Sequence, residues 1–471
     1  MKIPFIGQAY ENRSIKISNQ KCINLYPEIQ EAADTRAIVA LQSVSGCKMF
    51  SEISSVSGEV RGLHFSENQR KLFAVVDQYL YSVSIDKSFY KIGRIDGDGL
   101  VSMTDRGDAR EEFGNQICIA TGVSYWVYDK TGLSKEYSAG AVSDLTFQDG
   151  YILLTRTGTD RIYCTETPKN ARVINPLDFI IAGANTDLCV GITQVERRVW
   201  VFGADSITIL YNSGATEFPF SVVDGGSSNG FGLAGKDAKV MKDSNVFWCS
   251  TDGRIYVSNG YTPTRISHYG IENSIRQYEK TSDCEASAWT ENGHKFIAFS
   301  FPSGNETWVY DANTRMWHQR SSGYTGDVWS SRLNVRAWEL NLVGDRYRGF
   351  IGELDLDIFQ EYGAYMQARR VTPTIHANQN VFITDRIELV MDVGLSESPG
   401  EAKISMRWSD DSGYTWGNWI DDGLGEQGHY KRKVTFYELG QAKDRVYELM
   451  ITDNVRRTLI DCVVEGEVGY V

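Results

Sequence analysis

Seven stretches of this chain repeat one local pattern: an apolar run, a tight polar turn, and a second apolar run ending in an aromatic residue. The aromatic ends are Tyr81, Tyr128, Tyr163, Tyr211, Tyr256, Tyr310 and Phe359. They recur at intervals of 47, 35, 48, 45, 54 and 49 residues, about 46 on average, which is the period of a propeller blade. One such unit cannot bury both of its apolar faces alone. Units stacked radially can, and their sheet edges then stay short. The sequence therefore predicts an all-β chain built on a propeller of about seven blades. Propellers host enzymes and scaffolds alike, so the repeat leaves function open.

The expected organisation is an irregular, extended N-terminal segment over residues 1–58, a propeller over 59–363 and a C-terminal β-sandwich over 364–471. The first blade reads as Lys71–Val76, a turn, and Tyr79–Val83; the fifth as Val246–Cys249, then Thr251-Asp252-Gly253, then Arg254–Val257. Asp-Gly there predicts a type I′ hairpin, which needs two residues tolerant of positive φ. One short helix is expected over Ile271–Tyr278, where apolar residues fall four and three apart. Beyond Ala364 the runs Arg386–Met391 and Val446–Ile451 alternate polar and apolar, the pattern of half-exposed antiparallel strands.

The net charge of −13 argues against a protein that grips phosphates, which requires clustered Lys and Arg. A surface that DNA slides past remains compatible with it. Eight dispersed cysteines, none in a C-x-x-C pair, sit mostly in apolar runs and read as reduced core residues. Met1-Lys2-Ile3-Pro4 opens no apolar signal region, and no run reaches the roughly 18 apolar residues of a membrane span. The expectation is synthesis and assembly in a host cytoplasm, without a membrane partner.

Ser409-Asp410-Asp411-Ser412-Gly413-Tyr414-Thr415-Trp416 matches S-x-D-x-G-x-T-W, the Asp-box of many β-proteins. Its functional residues, Ser409, Asp411, Gly413, Thr415 and Trp416, read as structural: Asp and Ser satisfy backbone N–H groups across a turn, Gly supplies positive φ, and Trp packs beneath. Sialidases repeat this box blade after blade; here it occurs once. Gly230–Gly235 spells G-x-G-x-x-G and Gly226–Gly230 spells G-x-S-x-G, but neither is followed by a helical pattern, as a dinucleotide site or nucleophile elbow requires. Glu353, Asp355 and Asp357 alternate, which places three carboxylates on one strand face. They are the weak metal candidates: such a row ligates Ca²⁺ or meets Lys and Arg of a neighbour, and a solvated or salt-bridged face is the preferred reading. Asp96-Gly97-Asp98-Gly99 reads as a turn, and the six histidines lack zinc spacing. No catalytic constellation and no cofactor site emerge.

The order of several weak elements resembles the packaged-DNA stabilisation, or tail hub, family of short-tailed bacteriophages. They are Ile3-Pro4-Phe5, Asn24-Leu25-Tyr26-Pro27, Val60-Arg61-Gly62-Leu63, Gly99–Met103, Ile266 with the helix from Ile271 to Tyr278, Val309-Tyr310-Asp311 and Ser409–Gly413. The family's turn before the first blade is here Gln42-Ser43-Val44-Ser45-Gly46, a departure. The resemblance implies a structural virion protein of the tail. It would form a ring of typically six copies below the portal and its adaptor, close the DNA exit channel, and carry the needle, fibres or tailspikes, with DNA only as transiting cargo. Two alternatives stand beside it: a propeller that binds or hydrolyses glycans, motivated by the Asp-box and by Trp408, Trp416 and Trp419, and an intracellular propeller serving as an interaction scaffold.

Overall fold

In most repeats the second strand is centred on an apolar run, and the reason is its position between two neighbours. Leu72, Ala74 and Val76 pack with Ala337, Leu342 and Ile351 on one side. Phe73 and Val75, pointing the other way, pack with Ile117 and Ile119 of the next repeat. Cys118 and Ala120 in turn meet Ile152 and Leu154, and Leu153 meets Val199 and Val201. The period of two thus distributes each run between the preceding and following blades.

The computed structural model describes residues 5–30, 38–54, 58–108, 110–182, 187–378, 380–395 and 401–469. Met1 to Pro4, including Ile3 and Pro4 of the opening motif, lie outside the described residues. Six four-stranded antiparallel blades follow one another, five as separate sheets and the sixth as one end of a larger sheet: blade one runs from Val60–Ser66 to Phe89–Arg94, blade two from Ser102–Arg106 to Gly132–Lys135, and blade three from Val142–Gln148 to Asn170–Ile181. Blade four runs from Cys189–Val195 to Phe220–Asn229, blade five from Lys239–Lys242 to Thr262–Arg265, and blade six from Glu285–Glu291 to Met316–Ser322. The seventh takes three strands, Ser331–Ala337, Leu340–Asp345 and Gly349–Asp355, from the end of the repeat region and its outermost strand, Gly46–Ser54, from near the N-terminus. Borrowing the last strand from the far end of the chain closes the ring. Gly46 is required there: a Cβ would lie 2.5 Å from the carbonyl oxygens of both Ile358 and Gln360.

Six of the seven aromatic ends lie on the third strand of their blade. Phe359 does not. Blade seven's third strand stops at Asp355, and Phe359 falls in the connection to the sandwich, its N–H donating to Asn454 Oδ1 at 2.9 Å. The regular spacing misleads here because the fourth strand of that blade does not follow in sequence. The Asp252-Gly253 hairpin also differs from expectation. Cys249 pairs with Ile255, which leaves a five-residue turn in which Gly253 alone has positive φ. Two-residue turns with paired positive φ occur instead at Asp149-Gly150, Asp243-Ser244, Asn292-Gly293, Trp338-Glu339 and Tyr362-Gly363. The helix spans Tyr269–Ile275, ending three residues before the expected Tyr278 and starting two before Ile271, because His268 Nδ1 accepts the Ile271 N–H at 3.3 Å and caps it.

The sandwich has two sheets, and the N-terminal segment enters both. One sheet orders Leu25–Ile29, Val39–Ser43, Leu459–Val468, Phe382–Met391 and Val434–Tyr437. The other continues blade six: Met316–Ser322 pairs with Cys22–Ile23, then follow Ala368–Val371, Asp444–Ile451, Lys403–Ser409 and Ile420–Gly423. Asp444–Ile451 is consequently buried on both faces rather than half-exposed, with Phe5 stacked on Tyr447 at 5.7 Å. The eight cysteines are all free and buried. No helix among the described residues is long and apolar enough to cross a membrane.

Candidate functional site

Buried arginines of both bodies hold the N-terminal segment by its backbone carbonyls: Arg320 of blade six donates to the Ser45 carbonyl, and Arg370 of the sandwich to several. Arg370 Nε donates to the Phe5 carbonyl at 2.7 Å, and its Nη1 reaches the carbonyls of Gln8 and Lys21 at 3.3 and 3.2 Å. Arg457 Nη2 donates to the carbonyls of Met366 and Asp453 at 2.9 and 2.8 Å, while Ser43 Oγ accepts the Arg457 N–H at 2.7 Å. Asn24, at φ 54°, donates to the carbonyls of Ser321 and Gln367. A planar guanidinium can hold several carbonyls at fixed angles, so the segment is locked in one path.

The carboxylate row is answered by a lysine of the borrowed strand. Lys48, paired in register with Glu353, places Nζ 2.9 Å from Glu353 and 2.6 Å from Asp355. The ammonium stands where a cation bound by these two would sit, and these bonds raise its pKa. Asp357 is not on the strand: it follows in a turn, 86% exposed, with Arg456 3.6 Å away. Among the described residues no cluster of His, Cys, Asp and Glu is arranged for a metal.

In the Asp-box, Ser409 Oγ donates to Asp411 Oδ1 at 2.7 Å and accepts the Gly413 N–H at 2.8 Å. Asp411 accepts the Thr415 N–H and hydroxyl at 2.8 and 2.6 Å, and Gly413 has φ 102°. Those bonds hold the Asp411 carboxyl well below the usual range. Trp416 is half-buried, beneath the Arg407 guanidinium at 4.9 Å, which also covers Trp419 at 4.3 Å. Trp408, half-buried too, lies near the Arg445 guanidinium. Beside the box opens a cleft of about 850 Å³ lined by Lys16, His376, Asp410, Asp411, Tyr414 and Asp444. Two of its three acids are already engaged: Asp410 by Arg445 at 2.6 and 3.0 Å, and Asp411 by the donors of the turn, which favour its ionised form. A general acid needs its carboxyl raised toward neutrality. Gly226–Gly230 runs off the outer strand of blade four, and Gly230–Gly235 lies in the loop before Lys239–Lys242, with no helix behind either.

The sequence gives no hint of what crosses the propeller axis. Asp144 of blade three accepts Lys239 Nζ of blade five at 2.5 Å and the Ile192 N–H of blade four at 2.9 Å. Lys236, before blade five, donates 2.7 Å to the Leu100 carbonyl before blade two, three blades away. Arg332 of blade seven meets Glu285 of blade six at 3.1 Å and Glu59 at 2.7 Å. Lys236, Lys239, Glu285 and Arg332 line a void of about 160 Å³. These residues sit in first strands and loops that look unremarkable in one dimension, because their partners are 47 to 273 positions away.

The pattern that describes the bacteriophage P22 Gp10 β-propeller matches residues 1–359, and that of the P22 Gp10 β-sandwich matches 367–467. The chain belongs to the bacteriophage P22 Gp10 family. It is a structural protein of the phage tail with a β-propeller and a C-terminal β-sandwich. Among curated proteins the comparison finds no match. Among solved structures this Gp10-family chain is similar to a streptogramin B lyase, at 13% identity over 66% of this chain and 97% of that one, TM-score 0.45. It is also similar to the WD40 domain of Neurospora crassa Pan2, at 9% identity over 70% and 98%, TM-score 0.40. The extracellular domain of BT4673 from B. thetaiotaomicron matches at 11% identity over 83% and 47%, TM-score 0.43.

Proposed function

We propose that this Gp10-family protein is a non-enzymatic tail hub. Copies of it, most simply six, attach below the portal and adaptor as a ring, close the DNA exit channel and anchor the needle and the fibres or tailspikes. The observation that carries the reading is the family match over both bodies, joined with the bracing of those bodies by one shared N-terminal segment. A stiff unit of this kind suits a part that bears load. The lysine contacts between distant blades support a further point: DNA would pass through the ring of copies, not through a propeller. The charge of −13 suits a conduit wall that must release DNA.

The test is to mix the purified protein with portal–adaptor assemblies and measure mass and image the product. Several copies around the axis are expected. A single copy, peripheral placement or no binding would sink the hub reading. The glycan reading draws its support from the cleft at the Asp-box. Release of sugar from host-surface polysaccharide, abolished by substitution of one cleft carboxylate, would favour it instead.

A further inference from the structure

The outermost strand of blade three, Asn170–Ile181, is longer than those of most other blades and carries a protrusion. Thr165 pairs with Ile174, but Tyr163 already pairs with Phe179, so residues 175–178 are extruded from the edge. The knuckle is a built turn: Asn175 Oδ1 accepts the Leu177 N–H at 3.1 Å, and Asn175 Nδ2 donates to Asp178 at 2.8 Å. At its tip Leu177 is 82% exposed. Ile181 and Leu188 beside it, and Val222 on the outer strand of blade four, are exposed too. A polar side chain at the tip would cost nothing in folding, so a leucine presented on a hydrogen-bonded turn beside three further exposed apolar residues points to a partner.

A matching surface lies elsewhere on the same chain. The outermost strand of blade one, Phe89–Arg94, with its preceding turn, exposes Ile85, Phe89 and Tyr90. It is basic, with Lys87, Lys91 and Arg94 against Asp86. Around the knuckle and the blade-four edge, exposed Glu166, Asp178, Glu217 and Asp224 outnumber Arg161 and Lys169, and residues 213–229 contain no Lys or Arg. Directions agree as well. Seven evenly spaced blades stand about 51° apart, so blade one points about 103° from blade three and about 154° from blade four. A flat ring of six whose axis parallels the propeller axes needs about 120° between its two contact directions, inside that interval.

We propose that the Leu177 knuckle is one half of a head-to-tail contact whose other half is the blade-one edge of a second copy of this chain. The proposal rests on the ring reading and names its interface. The leucine enters the patch formed by Ile85, Phe89 and Tyr90, and the charged rims align the edges and set their order. Both halves are outermost strands, so their unpaired backbone groups also become available to one another.

The eight native cysteines are buried, so an introduced surface cysteine is the reactive thiol of the folded chain. Leu177→Cys and Tyr90→Cys proteins, mixed on portal–adaptor assemblies and oxidised, should yield covalent dimers at least tenfold above either protein alone. Leu177→Asp should lower the number of copies recruited at fixed concentration by tenfold or more, with the melting temperature unchanged. If wild type assembles in several copies while Leu177→Asp assembles equally well and the cysteines fail to link, this contact is wrong and the ring stands. If wild type binds as one copy, the ring reading itself fails and this proposal falls with it.

Discussion

Arg370 donates from Nε to the carbonyl of Phe5 at 2.7 Å, joining the fifth residue of the chain to the first strand of the sandwich. The guanidinium is fully buried and also serves Gln8, Lys21 and Gln20. Arg370→Met removes those donors and strands several buried carbonyls, at a cost of about 3–5 kcal/mol. Arg370→Lys should recover little, since an ammonium cannot hold the same fan of acceptors. Thermal unfolding of the three proteins checks this; a loss below about 1 kcal/mol would mean water replaces the side chain.

The connection between the two bodies offers a second measurement. The sequence places their boundary near residues 360–368, and the two family patterns leave 360–366 between them. Cutting the chain there should not separate the pieces, because Leu25–Ile29, Val39–Ser43 and Cys22–Ile23 remain paired with sandwich strands. A nicked sample should run as two bands on a denaturing gel and as one species in gel filtration. Release of a free sandwich would contradict the shared sheets.

Trp416 is a weaker anchor than a buried indole. Being half-buried and sharing the Arg407 guanidinium with Trp419, its replacement by Ala should cost about 1–2 kcal/mol, well short of the 3–5 typical for a buried aromatic. Asp411→Ala should cost more locally, since three donors lose one acceptor, and should raise hydrogen exchange at Gly413 and Thr415. Unchanged exchange there would show that the turn holds without its carboxylate.

Two histidines set the response to acid. Burial, reinforced by the Arg320 charge, pushes His318 down to about 3, and burial pushes His268 down to about 4. Each stays neutral in the folded chain while the unfolded chain takes up a proton near pH 6.5. Their stability is complete above that value and drains as pH falls, by about 1.4 kcal/mol per pH unit for each. His294, raised by Asp311, acts in the opposite window: its contribution is present below pH 6.5 and lost as pH rises through its folded value. Denaturant unfolding at pH 7, 6 and 5 should show the acid slope, and His318→Gln should roughly halve it. An unaltered slope would assign it to other groups.

The blades were legible in sequence because each second strand is buried on both faces, so its apolar run is continuous and local. Phe359 misled because ring closure borrows Gly46–Ser54 from some 300 residues away, and no periodicity encodes that. Val446–Ile451 was misjudged for a related reason: what covers it, Phe5 and its neighbours, comes from the other end of the chain. Lys48 opposite Glu353 and Asp355 was foreseeable in kind, since unpaired carboxylates on a strand face demand a cation, but not in identity. Ion pairs across the axis left no local trace at all.

Those axial pairs give the last prediction. Asp144 and Lys239 are almost wholly buried, with side chains 3% and 9% exposed and 2.5 Å between them. Lys239→Met leaves a buried carboxylate with only two backbone donors, the N–H groups of Ile192 and Leu145, and no countercharge, and should cost about 3–5 kcal/mol. Asp144→Asn keeps an acceptor for that N–H, removes the charge, and strands the ammonium less severely, because Lys239 still donates to the Lys236 carbonyl at 2.6 Å. The double variant should therefore be more stable than Lys239→Met alone, with a coupling of about 2 kcal/mol or more in a double-mutant cycle. Additive losses would mean that water already screens the pair, and that the propeller axis is open to solvent at this level.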